Sequence, residues 1–191
     1  MQMTGRSTEA KVHDQFVNRW SPRAFDGSSI DAADRDALFE AARWAPSAFN
    51  AQPWRLLYAE RGDANWDRFL KLLVPFNQSW AETSGLLVFF LSATTSHGKP
   101  SHSHSFDTGA AWMSLALQAE HLGLRAHGMT GIDFDAIKTE LGVPDDYRIE
   151  AAAAIGRQGD PEVLPEQLRE REAPSDRLPL SQIAIAGNFP A

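Results

Sequence analysis

Cysteine is missing from all 191 residues. Disulfides, thiolate nucleophiles, thiolate-bound metals and cysteine-ligated clusters are thereby excluded, and any redox chemistry must reside on a bound cofactor. Long hydrophobic runs are missing too, and nothing approaches the roughly 20 apolar residues that span a bilayer. Residues 1–10 are polar and hold no apolar core of the kind a secretory signal needs, so the expected compartment is the cytoplasm and no membrane partner is expected. Positive charge is in deficit. Eighteen Lys and Arg against 25 Asp and Glu leave a formal net charge of -7, which argues against a broad nucleic-acid surface. The remainder is ordinary for a globular chain, 43% hydrophobic and 23% charged, and the length suits one domain over 1–191.

The residues that are present converge on one stretch, Trp44-Ala45-Pro46-Ser47-Ala48-Phe49-Asn50-Ala51-Gln52-Pro53-Trp54. Two prolines forbid a helix through it, since each fixes φ and removes a backbone donor. Between them stand a hydroxyl and two primary amides, Ser47, Asn50 and Gln52, with aromatic rings at 44, 49 and 54. Short polar arms on a stiff backbone with hydrophobic walls suit a flat, polar-edged heterocycle. A plain helix-to-strand connection would have the same composition. Upstream, Arg19 and Arg23 stand four apart around Ser21-Pro22. Their forked, permanently charged donors suit phosphate oxygens, and two solvated arginines in a surface turn are the plainer alternative.

A short helix is expected over 8–18, where Val12, Phe16 and Trp20 recur every four residues. A second follows Asp31 as its cap, with Leu38, Ala41, Ala42 and Ala45 on its buried face. Residues 54–59 read as a strand, 63–82 as one or two helices interrupted at Pro75, and 86–91 as a central strand covered on both faces. Residues 94–105, rich in Ser and His, read as a loop. His97, His102 and His104 lack a carboxylate at helical spacing, so a solvated loop is expected rather than a zinc site, with a lid over an active site as the other option. Asp107 is expected to cap the longest helix, over 108–122, whose apolar residues lie on more than one side and imply burial at the centre or in an interface. Strands over 125–130 and 149–155 flank a short helix over 133–141. Residues 156–177 read as an exposed arm. The tail, 178–191, is apolar and strand-like and needs a place to dock, on its own sheet or on that of a second subunit.

Five pieces, in order, resemble the nitroreductase family of FMN-dependent oxidoreductases. They are Arg19-Trp20-Ser21-Pro22-Arg23 with Phe25, then Ala45-Pro46-Ser47 with Asn50 and Gln52-Pro53-Trp54. Next come Asp107-x-Gly109-Ala110-Ala111 running to Leu122-Gly123-Leu124, His127-Gly128-Met129-Thr130-Gly131, and Arg177-x-Pro179-Leu180. Each is unspecific alone; the order and the span, roughly residues 10–189, carry the resemblance. It implies an α+β, three-layer α-β-α fold with a central mixed sheet flanked by helices, assembled as an intertwined homodimer with two FMN sites at the subunit interface.

By the same resemblance, Arg19, Ser21, Arg23 and Arg177 hold the FMN phosphate and ribityl chain. Ser47, Asn50 and Gln52 approach the flavin, one of them from the opposite subunit, and Met129, Thr130 and Gly131 lie along its ring. Trp20 and Pro46 belong to the same cofactor-binding motifs. A second basic residue that many relatives carry two positions before the C-terminal arginine is Ser175 here. The implied activity is ping-pong hydride transfer from NAD(P)H to a small electron-poor acceptor such as a nitroaromatic or quinone, with no protein nucleophile and no metal. A specialised flavin enzyme on one metabolite, or a flavin-binding protein without turnover, are the rival readings.

Overall fold

Six consecutive apolar residues, Leu86 to Leu91, make the strand on which both cores of the molecule are built. In extended backbone successive side chains point to opposite faces. Leu86, Val88 and Phe90 accordingly join one buried cluster, while Leu87, Phe89 and Leu91 join another. All six are at most 3% exposed, and burial of each stabilises by roughly 1.5–3 kcal/mol relative to exposure.

The computed structural model describes residues 5–189; residues 1–4 and the last two residues of the expected tail lie outside the described residues. The chain passes through α1 (Asp14–Asn18), α2 (Ala32–Arg43), a 3-10 turn (Ala48–Asn50), β1 (Trp54–Glu60), α3 (Trp66–Lys71), α4 (Pro75–Ala81) and β2 (Leu86–Ala93). A small hairpin of β3 (Thr95–Ser96) and β4 (Lys99–Pro100) follows, then α5 (His104–His121), β5 (Arg125–Met129), α6 (Phe134–Glu140) and β6 (Tyr147–Gly156). A 3-10 turn (Pro161–Val163), α7 (Glu166–Arg169) and α8 (Leu180–Ile183) complete it. The main sheet has the order β1-β2-β6-β5. Helices α2 and α5 cover one face through Leu38, Ala42, Ala111, Leu115 and Ala119. Helices α3, α4 and α6 cover the other through Trp66, Phe69, Trp80 and Ile137. The result is helix, sheet, helix.

Several expectations need correction. The sheet is antiparallel at every pairing rather than mixed. Strands β2 and β5 do run the same way, but β6 lies between them, so they share no ladder. The tail, read as a strand, instead makes the single helical turn α8, with Pro179 at its cap and Leu180 and Ile183 one turn apart. The arm over 156–177 is not wholly exposed: Leu164 and Leu168 are each 3% exposed and belong to the α3/α4/α6 core. Finally, α5 begins at His104, with Ser103 at its cap, so Asp107 lies inside the first turn rather than ahead of it. The loop read over 94–105 contains the β3–β4 hairpin, which turns through Gly98 at φ +74.

The helix expected over 8–18 forms only over Asp14–Asn18; elsewhere local chemistry and structure agree. Pro75 opens α4, where its missing N–H removes no helical bond. Gly123 follows α5 at φ 72, a left-handed conformation that glycine adopts without a Cβ clash. The register of β2 with β6 shifts between Phe90, opposite Ala151, and Leu91, opposite Ile149. Glu150 is the unpaired residue of this bulge.

Candidate active site

A cavity of about 610 Å³ opens where α1, the turn at 19–21, α5, the end of β5, β6 and Arg177 meet. Its walls are mostly apolar: Phe90, Trp112, Met113, Ala116, Met129 and Ala152 all contribute. Trp112 lies so close over Gly128 that a Cβ there would come within 2.9 Å of the indole. Glycine at 128 is therefore what lets the ring form this wall.

One end of the cavity is strongly positive. Arg19 and Arg177 line it together with Ser21, whose hydroxyl accepts a hydrogen bond from Arg19 Nη1 at 3.2 Å. Arg6 stands just behind, donating from Nη1 to the carbonyls of Val17 and Arg19 at 3.0 and 2.9 Å. Burial first, and then the charges of Arg177 and Arg6, lower the pKa of Arg19. Arg6 is lowered likewise by burial and by Arg177. Among the described residues no carboxylate is in ion-pair contact with these three guanidiniums; Glu120, whose charge Arg19 feels, is paired with Arg125. Gathering like charges in a partly desolvated site is costly unless an anion joins them. The site is built for an anion with several acceptor oxygens.

His127 holds the turn that carries this cradle. Its Nδ1–H donates to the carbonyl of Pro22 at 2.9 Å, and its ring packs against Trp80 at 4.6 Å between centroids. Burial, aided by the charges of Arg23 and Arg19, pushes its pKa down to about 4, so the imidazole is neutral at pH 7. From the other side, Glu172 of the arm accepts the backbone N–H of Arg23 and of Ala24 at 2.7 and 2.8 Å. Arg23 itself is not among the cavity-lining residues, and its Nε is buried without a partner among the described residues.

The stretch 44–54 takes an unusual conformation. Phe49, Asn50 and Gln52 all have positive φ, at 52, 52 and 46. Left-handed backbone is uncommon for non-glycine residues and strained for a bulky one such as Phe49. Asp107, 3% exposed, holds the stretch in place: its carboxylate accepts the Ala48 backbone N–H at 3.2 Å and the Ser103 hydroxyl at 2.9 Å. Ser47 Oγ accepts the Gln52 N–H at 3.0 Å, and Gln52 Nε2 donates to the Asn50 carbonyl at 3.1 Å. The stretch projects outward, with Phe49 95% exposed and Asn50 and Gln52 also exposed.

Of the residues expected at a cofactor site, the fold brings Arg19, Ser21, Met129, Thr130 and Arg177 to one cavity. Trp20 is buried beside them, and Gly131 sits just beyond Thr130, its carbonyl accepting from Asn77 Nδ2 at 2.9 Å. Arg23, Pro46, Ser47, Asn50 and Gln52 do not line that cavity within the chain. Thr108, Gly109 and Glu150 are among the lining residues that the sequence reading did not assign to the site. Among the described residues the buried Thr108 hydroxyl has no partner. Gly109 is the one with a local signal, a glycine inside a long helix. A Cβ there would meet nothing within 4 Å, so packing within the chain does not require it. A group lying against bare helix backbone would.

These features fit a flat, anionic cofactor: an arginine cradle, a waiting hydroxyl, apolar walls and an uncovered backbone. A crystal structure described as an oxidoreductase containing FMN is 47% identical, with a TM-score of 0.95, and covers 100% of this chain and 98% of its own. The uncharacterized 15.4 kDa protein of the ask 5' region of Mycolicibacterium smegmatis is 31% identical over 143 residues, 71% of this chain and 97% of that protein. A Streptomyces coelicolor protein, provisionally named NADH dehydrogenase/NAD(P)H nitroreductase, is 25% identical over 165 residues, 75% of this chain and 83% of its own. The Nitroreductase family model matches residues 17–79 and 70–157, and this chain belongs to the nitroreductase family.

Proposed function

We infer that this nitroreductase-family oxidoreductase binds FMN in the cavity, takes hydride from NAD(P)H and passes it, by a ping-pong route, to an electron-poor acceptor such as a nitroaromatic or quinone. The observation that carries the reading is the pair of guanidiniums, Arg19 and Arg177, at one end of an apolar-walled cavity with Arg6 behind them, none in ion-pair contact with a carboxylate among the described residues. FMN held there supplies reversible two-electron chemistry. The protein's own residues have simpler tasks. Arg19, Arg177 and Ser21 bind the phosphate, Arg6 braces Arg19 from behind, and Thr108 offers a hydroxyl to the ribityl chain. Met129 and Thr130 border the ring and Trp112 keeps water from it.

A homodimer completes the site in this reading. Met113 of α5 is 37% exposed, and Leu178, Leu180, Ile183 and Ile185 of the tail are all exposed as well. Covering them with a second copy would place the projecting 44–54 stretch, with Ser47, Asn50 and Gln52, beside the partner's cavity. The fixed strain of that stretch supports this, since strained backbone persists where a site needs it.

Purified protein tests the function directly. It is expected to be yellow, and to bleach anaerobically when NADH or NADPH is added. Protein that takes up no FMN, or that keeps its colour under excess donor, would sink the proposal. Gly109 gives an independent check. Gly109→Ala is expected to stabilise the cofactor-free protein by about 0.5–1 kcal/mol through helix propensity, while weakening FMN binding because the new methyl occupies cavity space. Urea midpoints and a flavin titration read the two effects, and equal FMN affinity in variant and parent would remove Gly109 from the site.

A further inference from the structure

A run of short hydrogen bonds leads from the edge of the hairpin to the cavity wall. Ser92, fully buried at the end of β2, places its hydroxyl 2.5 Å from Glu150 Oε1 and 2.7 Å from His104 Nδ1. Ser105 donates its hydroxyl to the same Glu150 oxygen at 2.7 Å. With the Ser92 proton directed at the carboxylate, the Ser92 oxygen is left to accept from His104 Nδ1–H. Glu150 and Ser105 both line the cavity. His104 stands behind them with its side chain 15% exposed, in reach of water.

Glu150 owes this position to the β-bulge. Left unpaired between Ile149 and Ala151, it is turned out of the strand's normal alternation, a device that re-aims side chains at sites. Its other charged neighbour is Arg148, whose Nε lies 3.4 Å from Oε2 and whose side chain is 63% exposed. On α5, Asp107 is already engaged by Ser103 and Ala48. Three elements therefore meet at one carboxylate that faces the cavity on one side and a titratable imidazole on the other.

We propose that His104, Ser92 and Glu150, with Ser105, form a proton relay that supplies the proton an acceptor takes up when it is reduced. The proposal rests on the oxidoreductase reading above. Two-electron reduction of a quinone or nitro acceptor adds a hydride equivalent, whose source is NAD(P)H, and a proton. The proton comes from the Glu150 carboxyl: its O–H bond breaks as an O–H bond to the acceptor forms. Glu150 is recharged when the His104 imidazolium gives its Nδ1 proton to Ser92 and Ser92 gives its own to Glu150. The neutral imidazole then takes a proton from water. Hydride and proton together balance the reduction, and the donor is the species oxidised.

The experiment compares acceptors that do and do not need a proton. Glu150→Gln keeps a carbonyl for the two serine hydroxyls but cannot carry the proton, and His104→Gln removes only the outer link. In FMN-loaded enzyme, both variants are expected to lower kcat with a quinone about 100-fold, within the usual range for a lost acid–base group. Ferricyanide, which accepts electrons without protons, is expected to change less than about twofold on the same reasoning. For His104→Gln, whose side chain does not line the cavity, FMN uptake, bleaching by NAD(P)H and the urea midpoint are expected to match the parent. Equal slowing with both acceptors, or slowing with neither, in variants that load and bleach normally would overturn the relay and leave the oxidoreductase reading intact. Parent protein that fails to load or bleach overturns that reading instead. Should Glu150→Gln not fold, His104→Gln decides the question alone.

Discussion

Arg19→Ala is expected to weaken FMN retention by about a hundredfold, the equivalent of about 3 kcal/mol. Arg19 lines the cavity, lies next to Arg177 and Arg6, and has its charge destabilised by burial and by both neighbours. A bound phosphate reverses that destabilisation, since forked hydrogen bonds to a dianion exceed a neutral hydrogen bond in strength. Arg19→Lys is expected to recover little, because a point charge cannot reproduce the fork. Arg23→Ala is expected to cost less than Arg19→Ala: its side chain does not line the cavity, and the turn around it is held through its backbone N–H by Glu172. Flavin titration by fluorescence separates the two. Retention unchanged in Arg19→Ala would move the phosphate elsewhere, and a larger loss in Arg23→Ala would exchange their roles.

Acid is expected to unfold this protein through His127. Folding lowers its pKa from 6.5 to about 4, so the folded state favours the neutral imidazole. A group lowered on folding contributes its full stability above the unfolded value and loses it as pH falls toward the folded value. The loss therefore runs from about pH 6.5 to about pH 4, and amounts to on the order of 3 kcal/mol. The physical cause is burial against Trp80 with two arginines nearby, and the hydrogen bond to Pro22 offsets only part of it. Because that hydrogen bond also sets the Ser21-Pro22 turn, flavin retention should fall over the same range. His127→Asn keeps an N–H for the Pro22 carbonyl and does not titrate. Urea midpoints at pH 7.5 and pH 4.5 should converge in the variant and separate in the parent; a parent indifferent to pH over this interval would rule out His127 as the acid-sensitive group.

Most elements were legible because their causes are local. The apolar run of β2 reads as a strand covered on both faces, and Pro75 marks the break after which α4 begins. Where the reading slipped, a distant residue intervened. Asp107 looks like a helix cap by its neighbours, yet its carboxylate is used by Ala48, 59 positions upstream. The charges and prolines of the arm suggest exposure, but Leu164 and Leu168 find room in the core beside α3 and α4. The tail's apolar residues suggest a strand, but after Pro179 they close a single helical turn instead.

Alone, the sequence determined that no cysteine chemistry occurs, where most of the helices and the strands of the main sheet lie, and that arginines near both ends resemble a phosphate-binding set. These follow from composition, periodicity and turn chemistry, all readable over a few residues. Tertiary structure alone decided which polar groups meet. Arg6 and Arg177 come together at Arg19, His127 reaches Pro22 across 105 positions, and Glu150 reaches Ser92 across 58. Contacts at such separations are created by the packing of layers and by one bulge in β6, and neither leaves a mark on the residues nearby.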